Sequence, residues 1–221
     1  MNKDALILFL RYPERGAVKT RIAETLGAEL TYELYRRFLA DVAQIAREVN
    51  AEKIMVYSGP ENAVFPDFPG LRLIRQWGTD IGERMYFAFQ DVFALGFERC
   101  VLIGSDSPDL PDRLVNEAFD KLTSVDVVFG PCTDGGYYLV GCKSAGLCRS
   151  MFSDISWSTA EVLEDTLKQV AKAGLSSAQL EAWPDIDEAE DLKQFYERNR
   201  KRTAMLQTMK FLDATGIFNA Q

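Results

Sequence analysis

Three aspartates stand where an α/β enzyme would hold a metal ion or move a proton. Asp106 follows the apolar segment 100–104 within two residues, Asp134 precedes two glycines, and Asp187 lies in the acidic segment 185–191. Carboxylate oxygens are the ligands that Mg²⁺ and Mn²⁺ prefer. The sequence contains no histidine. Histidine-dependent nucleophiles and histidine metal sites are therefore excluded, and acid–base chemistry falls to Asp, Glu, Lys or Tyr.

Each of these aspartates also has a purely structural interpretation. Asp, Ser and Pro are common turn residues, so Asp106 and Asp109 could form a turn or open a helix, an interpretation that suits Asp109 better. Asp187 could cap the following helix, because acidic residues at a helix start complement its dipole. Asp134-Gly-Gly is typical of a hairpin between two strands.

A basic loop follows the first apolar segment and could bind phosphate. It contains Arg11, Gly16, Lys19 and Arg21 and leads into a pattern typical of a helix. Backbone amides and the dipole at a helix start favour an anion, and the cations add to this effect. A P-loop is excluded, because Val18 precedes the lysine where that motif requires glycine. The alternative interpretation is a solvated basic start of a helix.

Two further glycine-containing segments could contact a ligand. The loop 76–84, with Gly82 and Arg84, suits a nucleobase or phosphate, although Thr79 or Asp80 capping a helix explains it equally. The glycines after Asp134 would let a ligand approach the backbone closely. If the next segment is extended, Tyr137 and Tyr138 point to opposite faces, and only one of them can line a site.

Strand and helix patterns alternate along the chain. This order predicts a three-layer α/β/α, Rossmann-like domain with a mostly parallel, mixed sheet over residues 1–221, whose ligands bind at the carboxyl ends of the strands. We predict strands over residues 5–10, 53–57, 71–76, 100–104, 125–129, 137–141 and 180–183. We predict helices over residues 19–49 with a break at Gly27, 82–95, 111–122, 158–173 capped by Ser158 or Thr159, 188–198 and 203–214.

Composition narrows the partners and the location. With 221 residues, 47% of them hydrophobic, the chain is long enough for one sizeable core. The formal charge of −8 argues against a nucleic-acid partner. The apolar segments are too short to span a membrane or to form a signal peptide, and the four cysteines form no C-x-x-C pair. We therefore expect a cytoplasmic protein with reduced thiols. Whether it forms a homo-oligomer is left open.

Taken in order, these segments resemble a known family. The chain is similar to the bacterial GT-A-type nucleotide-diphospho-sugar transferase-like proteins, often labelled glycosyltransferases, over residues 5–195. It is more distantly similar to the molybdopterin and phospholactate guanylyltransferases, from which it departs by Glu-Ala in place of Thr-Pro within residues 185–191. The matching motifs lie at residues 12–21, 82–85, 104–108, 130–139 and 157–159.

The resemblance implies roles for individual residues. Asp106 would hold Mg²⁺ or Mn²⁺, with Asp187 as a second ligand, and Asp134 would contact the acceptor or act as general base. Lys19 and Arg21 would neutralise phosphate charge. The remaining nucleotide-binding residues that the loops predict are Arg11, Gly16, Gly82 and Arg84.

Three functions are compatible with these features. The leading one is a glycosyltransferase that uses a sugar nucleotide and releases a nucleoside diphosphate. The second is a nucleotidyltransferase in which the acceptor attacks the α-phosphate and pyrophosphate leaves. The third is a non-catalytic nucleotide-binding protein. In every case the expected small-molecule partner is a nucleotide or sugar nucleotide, and in the first two an acceptor of unidentified chemistry joins it.

Overall fold

The computed structural model describes residues 3–202 and 206–218. Within these residues, seven strands and seven α-helices follow one another along the chain. The strands are β1 (Asp4–Arg11), β2 (Glu52–Ser58), β3 (Arg72–Arg75), β4 (Arg99–Ile103), β5 (Val127–Pro131), β6 (Tyr137–Lys143) and β7 (Ser177–Gln179). The helices are α1 (Thr20–Leu26), α2 (Ala28–Glu48), α3 (Ile81–Phe93), α4 (Asp112–Lys121), α5 (Val162–Lys172), α6 (Ala189–Asn199) and α7 (Gln207–Thr215).

The strands form one mixed sheet in the order β3-β2-β1-β4-β6-β5-β7. Strand β6 runs antiparallel to both neighbours, while all the other pairs are parallel. The carboxyl ends of the six parallel strands therefore meet at one edge, where ligands bind in sheets of this kind. The predicted three-layer α/β/α architecture with a mostly parallel, mixed sheet is confirmed.

Side chains of β1 alternate between two separate cores. Leu6 and Leu8 pack on one face of the sheet, and Ala5 and Ile7 pack on the other, all fully buried. This alternation is the expected consequence of a strand covered by helices on both sides. The first face is covered mainly by α2, α4, α6 and α7, and the second by α3 and α5. In the described part of the chain, no helix is both long and apolar enough to cross a membrane.

Gly27 breaks the first helical segment as predicted. It adopts a φ of 80°, and its amide donates to the carbonyl of Ala23 while its own carbonyl accepts from Thr31. Positive φ is readily adopted only by glycine, so α1 and α2 meet at a sharp corner rather than forming one long helix.

The fifth helix begins later than the sequence predicts. It starts at Val162, and the predicted caps lie before it: Ser158 has a φ of 66°, and the Thr159 hydroxyl donates to Ser156 in a turn. The prediction missed a close approach. A Cβ on Gly135 would lie 2.1 Å from the carbonyl oxygen of Ala160, and the Gly135 carbonyl accepts from Leu163. The glycine after Asp134 therefore admits this neighbouring backbone rather than a ligand.

Two predictions at the end of the chain also shift. The last strand was predicted over residues 180–183 but is Ser177–Gln179, although the amides of Leu180 and Trp183 still donate to carbonyls of β5. A strand of three residues is too short for an alternating hydrophobic pattern to reveal its position. The last helix is Gln207–Thr215, and residues 203–205 of its predicted range lie outside the described residues.

A buried carboxylate ties the loop after β4 to α6. Asp109 is 2% exposed and accepts from Arg198 at 2.7 and 3.0 Å, from Asn199 at 2.7 Å and from the Trp183 indole at 3.2 Å. The sequence favoured a turn residue here. The structure shows a fully paired buried charge, and removal of one partner from such a pair is strongly destabilising.

Asp109→Asn is expected to lower the free energy of unfolding by about 3 kcal/mol, because it leaves the Arg198 guanidinium without its carboxylate. Urea unfolding measures the change. Asp120→Asn is the matched control, since Asp120 is exposed near the end of α4. Equal effects of the two substitutions would show that the Asp109 network contributes no more than surface charge.

Candidate active site

A cleft of two joined lobes lies at the carboxyl ends of β1 and β4. The cationic lobe, of about 440 Å³, is lined by Arg11, Lys19, Arg21 and Arg84. The acidic lobe, of about 560 Å³, is lined by side chains that include Asp134, Asp185, Cys132, Trp157 and Tyr137. Asp106 and Asp187 line both lobes, so these two carboxylates stand at the junction.

Lys19 holds the two junction carboxylates together. Its ammonium lies 2.7 Å from Oδ1 of Asp106 and 2.7 Å from Oδ1 of Asp187, and donates to the carbonyl of Ile186 at 2.6 Å. The residue has a φ of 45°, in the left-handed region, at the N-cap of α1. This conformation is unfavourable for a residue with a side chain and is often found at functional sites. Only 8% of the side chain is exposed.

Electrostatics favours the charged forms of Lys19 and Asp187. Burial alone would lower the pKa of Lys19, but the carboxylates of Asp106 and Asp187 outweigh it and raise the pKa above its usual value. Burial alone would raise the pKa of Asp187, but the charge of Lys19 outweighs it and lowers that pKa. One ammonium faces two carboxylates, so the triad keeps a net negative charge at neutral pH.

That residual charge suits a hard divalent cation. The side chains of Asp106 and Asp187 are 48% and 47% exposed, and both face the cleft. Lys19 engages one oxygen of each, and carboxylate oxygens are the ligands that Mg²⁺ and Mn²⁺ favour. The predicted pair of metal ligands is thus brought together, and its donor set fits the predicted ion.

Backbone contacts fix the positions of the two aspartates. The carbonyl of Asp106 accepts from the amide of Ile186 at 2.9 Å, which joins the loop after β4 to the segment before α6. Glu188, not Asp187, is the N-cap of α6, and the amides of both donate to Asp191. The interpretation of Asp187 as a helix cap is therefore wrong, and its carboxylate points to Lys19 instead.

The cationic lobe also contains polar residues that were not predicted to bind nucleotide, among them Tyr35, Ser105 and Gln76. Tyr35 donates its hydroxyl to the carbonyl of Arg11 at 3.0 Å and lies 3.2 Å from the hydroxyl of Ser105. Burial raises the pKa of Tyr35 to about 12, so the phenol stays neutral. Gln76 donates to the carbonyls of Leu10 and Val56 at the ends of β1 and β2. Tyr35 escaped notice because it belongs to the buried face of α2.

Two predicted glycines lie apart from the described lining of the cleft. Gly16 has a φ of 75° in the loop before Lys19, and a Cβ there would meet no described atom within 4 Å. Gly82 packs closely: a Cβ would lie 2.4 Å from the carbonyl of Phe152 and 2.7 Å from the Trp157 ring. Asp80 caps α3 by accepting from the amide of Glu83, as one of the two interpretations predicted.

The acidic lobe brings together three side chains from two loops. Ligand atoms of Cys132, Asp134 and Asp185 all lie within 4.8 Å of one another. Asp134 accepts from the amide of Gly136 at 2.9 Å, which orients its carboxylate. Burial, and then the charges of Asp134 and Asp187, raise the pKa of Asp185 to about 6. The sequence pointed to Asp134 but not to Asp185 or Cys132, which only the fold brings beside it.

Tyr137 and Tyr138 occupy opposite faces of β6, as predicted. The Tyr137 ring packs against Phe129, while the Tyr138 hydroxyl donates to the carbonyl of Glu181. Both nevertheless line the acidic lobe. The expectation that only one could do so is wrong, because the lobe extends around the first residues of the strand and reaches both faces.

Comparisons with known proteins agree with this arrangement. The fold matches that of a proposed nucleotide-diphospho-sugar transferase from Desulfovibrio desulfuricans G20, which is 34% identical with a TM-score of 0.91 over 97% of this chain and 96% of that one. The chain has the fold of nucleotide-utilising transferases. It belongs to the family described as an uncharacterized protein conserved in bacteria, DUF2064, whose model matches residues 41–159. No curated protein sequence matches the chain.

More distant structures share the fold alone. CMP:2-keto-3-deoxy-manno-octonic acid synthetase complexed with CTP is 15% identical, with a TM-score of 0.54 over 87% of this chain and 96% of that one. Rv0371c from Mycobacterium tuberculosis H37Rv, in complex with manganese, is 13% identical, with a TM-score of 0.55 over 87% of this chain and 98% of that one.

Gly82→Ala is expected to destabilise the protein by about 2 kcal/mol, because the added methyl group would overlap the Phe152 carbonyl and the Trp157 ring. The midpoint of urea unfolding measures this. Gly104→Ala is the control, since a Cβ at Gly104 meets no described atom within 4 Å. If both variants unfold at the wild-type midpoint, Gly82 has no packing role and its predicted contact with nucleotide regains priority.

Proposed function

We propose that the protein is a metal-dependent glycosyltransferase that uses a sugar nucleotide as donor. The observation that carries this proposal is the division of the cleft: cations line one lobe, carboxylates and aromatic rings line the other, and Asp106 and Asp187 stand between them. A donor whose diphosphate lies in the cationic lobe would project its sugar across the junction. The similarity to a proposed nucleotide-diphospho-sugar transferase supports the same assignment.

The cationic lobe binds the nucleotide in this proposal. Arg11, Arg21 and Arg84 line it and supply donors for phosphate oxygens, with the charge of Lys19 beneath them. Arg21 suits the departing phosphate in this proposal, because it lines both lobes and its guanidinium makes a long contact of 3.5 Å with Glu188. Positioned cations that face developing negative charge are a main source of catalysis in phosphate departure.

Asp106 and Asp187 hold Mg²⁺ or Mn²⁺ in this proposal. The ion supplies neutralisation of the diphosphate charge as the sugar–phosphate bond breaks. Two observations support it: the triad with Lys19 keeps a net negative charge, and a protein of the same fold is known in complex with manganese. Lys19 fixes the positions of the two carboxylates relative to each other, and its charge also faces the phosphates.

The acidic lobe receives the sugar and the acceptor. Its carboxylates repel an anionic acceptor and favour neutral hydroxyl groups, while the Trp157 and Tyr137 rings offer apolar surface to the faces of a sugar. Asp134 contacts the acceptor or serves as general base, because it is the exposed carboxylate of this lobe and the amide of Gly136 holds it in place.

Nucleotidyl transfer is the second candidate, favoured by the number of cations. Four cationic side chains line one lobe, which also suits a triphosphate. The fold is shared with a synthetase that binds CTP. The leaving group separates the two reactions, because a glycosyltransferase releases a nucleoside diphosphate and a nucleotidyltransferase releases pyrophosphate.

A thermal-shift screen of sugar nucleotides and nucleoside triphosphates, with and without Mg²⁺ or Mn²⁺, tests the donor class. A ligand that binds only the folded state raises Tm. We expect a metal-dependent rise with a sugar nucleotide, and loss of that rise in Asp106→Asn when it is measured against the unliganded Tm of the same variant. A rise with a triphosphate alone would favour nucleotidyl transfer. No metal-dependent rise with any nucleotide would contradict both reactions.

Lys19→Ala is expected to weaken nucleotide binding at least about tenfold, because a charged donor is lost near the phosphates. Affinity for Mn²⁺ alone should fall as well, because Lys19 no longer holds Asp106 and Asp187 together. Calorimetric titration of each ligand separates the two effects. Lys193→Ala, on the exposed side of α6, is the control and should bind nucleotide like the wild type. Equal affinities in the two variants would remove Lys19 from the binding site.

A further inference from the structure

The acidic lobe contains a compact set of sulfur and carboxylate atoms that includes no member of the Lys19 triad. The Cys132 sulfur and carboxylate oxygens of Asp134 and Asp185 lie within 4.8 Å of one another. Cys132 and Asp134 follow β5, and Asp185 precedes α6. The amide of Trp183 donates to the carbonyl of Pro131 at 2.9 Å, which holds the two segments side by side.

The Cys132 thiol is the independent sign of a ligand. It is only 9% exposed and lines the lobe, and the described residues show no hydrogen-bond partner for its sulfur. A buried cysteine is often a small apolar core residue. Cys100 and Cys142 fit that description, fully buried among apolar side chains of β4 and β6. Cys132 differs because its sulfur faces two carboxylates.

Charge in the lobe is also unbalanced. Among the described residues, neither Asp134 nor Asp185 forms an ion pair with lysine or arginine. Two carboxylates this close to each other and to a thiol leave negative charge in the lobe, which a bound cation would balance.

We propose that Cys132, Asp134 and Asp185 bind a second divalent cation. A sulfur donor beside two carboxylates favours a softer transition ion such as Zn²⁺ or Co²⁺ over Mg²⁺. The ion displaces the proton of the Cys132 thiol to solvent and forms a metal–sulfur bond, with no change of oxidation state. Three protein ligands leave a coordination position toward the lobe.

The open coordination position gives the ion a role in binding the acceptor. If the acidic lobe receives the acceptor, as the proposed function requires, an acceptor hydroxyl fills that position. In that arrangement the ion connects Asp134 to the acceptor, and Asp134 does not act as general base. The ion-binding site itself does not depend on the identity of the donor nucleotide.

Cobalt titration of the full chain, followed by ultraviolet–visible absorption, tests the site without any substrate. Thiolate bound to Co²⁺ gives a charge-transfer band in the near ultraviolet, which carboxylate ligands do not. We expect the band in the wild-type protein, its loss in Cys132→Ser and its retention in Cys148→Ser. Cys148 is the matched control, because it is partly exposed and its thiol contacts Ser150.

Asp134→Asn provides a second variant in case Cys132→Ser fails to fold. Asp134 is exposed, and asparagine keeps the oxygen that accepts from Gly136. We expect Co²⁺ affinity to fall at least about tenfold, in line with the loss of one ligand. Zn²⁺ should displace Co²⁺ and abolish the band, whereas Mg²⁺ at the same concentration should not.

Asp106→Asn separates this proposal from the proposed function. That variant should lose the metal-dependent nucleotide effect and keep the cobalt–thiolate band. The second site is overturned if saturating Co²⁺ produces no such band in the wild type, or if the band survives Cys132→Ser. It is also overturned if Asp134→Asn binds Co²⁺ as tightly as the wild type.

Discussion

The buried ammonium of Lys19 is the interaction on which the geometry of the cleft depends. An ammonium with 8% of its side chain exposed needs acceptors that replace water, and it finds three of them in Asp106, Asp187 and the carbonyl of Ile186. These partners come from the loop after β4 and from the segment before α6. One side chain near the start of the chain thus fixes the relative position of two distant loops.

Asp109, three residues after Asp106, has a structural role. It is buried and receives four hydrogen bonds, three of them from α6, whereas Asp106 is half exposed at the cleft. One short loop therefore carries a carboxylate that anchors the fold and another that is available to a ligand. By holding α6, which begins just after Asp187, the Asp109 hydrogen bonds also help to fix the position of Asp187 in the triad. In sequence the two aspartates look alike, because both sit among turn residues.

The parts of the fold that local pattern determines could be predicted. Apolar runs and helical spacing located six of the seven strands and the break at Gly27. The rule that ligands bind at strand ends indicated that Lys19 and Asp106 gather at one edge of the sheet, whereas Asp187 was added by the family resemblance. The site residues that escaped prediction depend on contacts between distant segments. Tyr35 lies within a helix, and Cys132 and Asp185 approach each other only once β5 lies beside the segment before α6. The late start of α5 similarly depends on the approach of Ala160 to Gly135, which no local pattern records.

Charge explains why a metal would be needed before a nucleotide binds. The chain carries a formal charge of −8, so its overall field repels an anionic donor. Locally, the arginines of the cationic lobe face a junction that remains negative even with Lys19 present, and beyond it lies a lobe of carboxylates. A diphosphate at the junction would meet Asp106 and Asp187 at close range. A divalent ion there reverses the sign of the junction, so the same carboxylates that would exclude the donor become the means of holding it. In the proposed function, metal dependence is therefore a requirement of the charge distribution as well as of the chemistry.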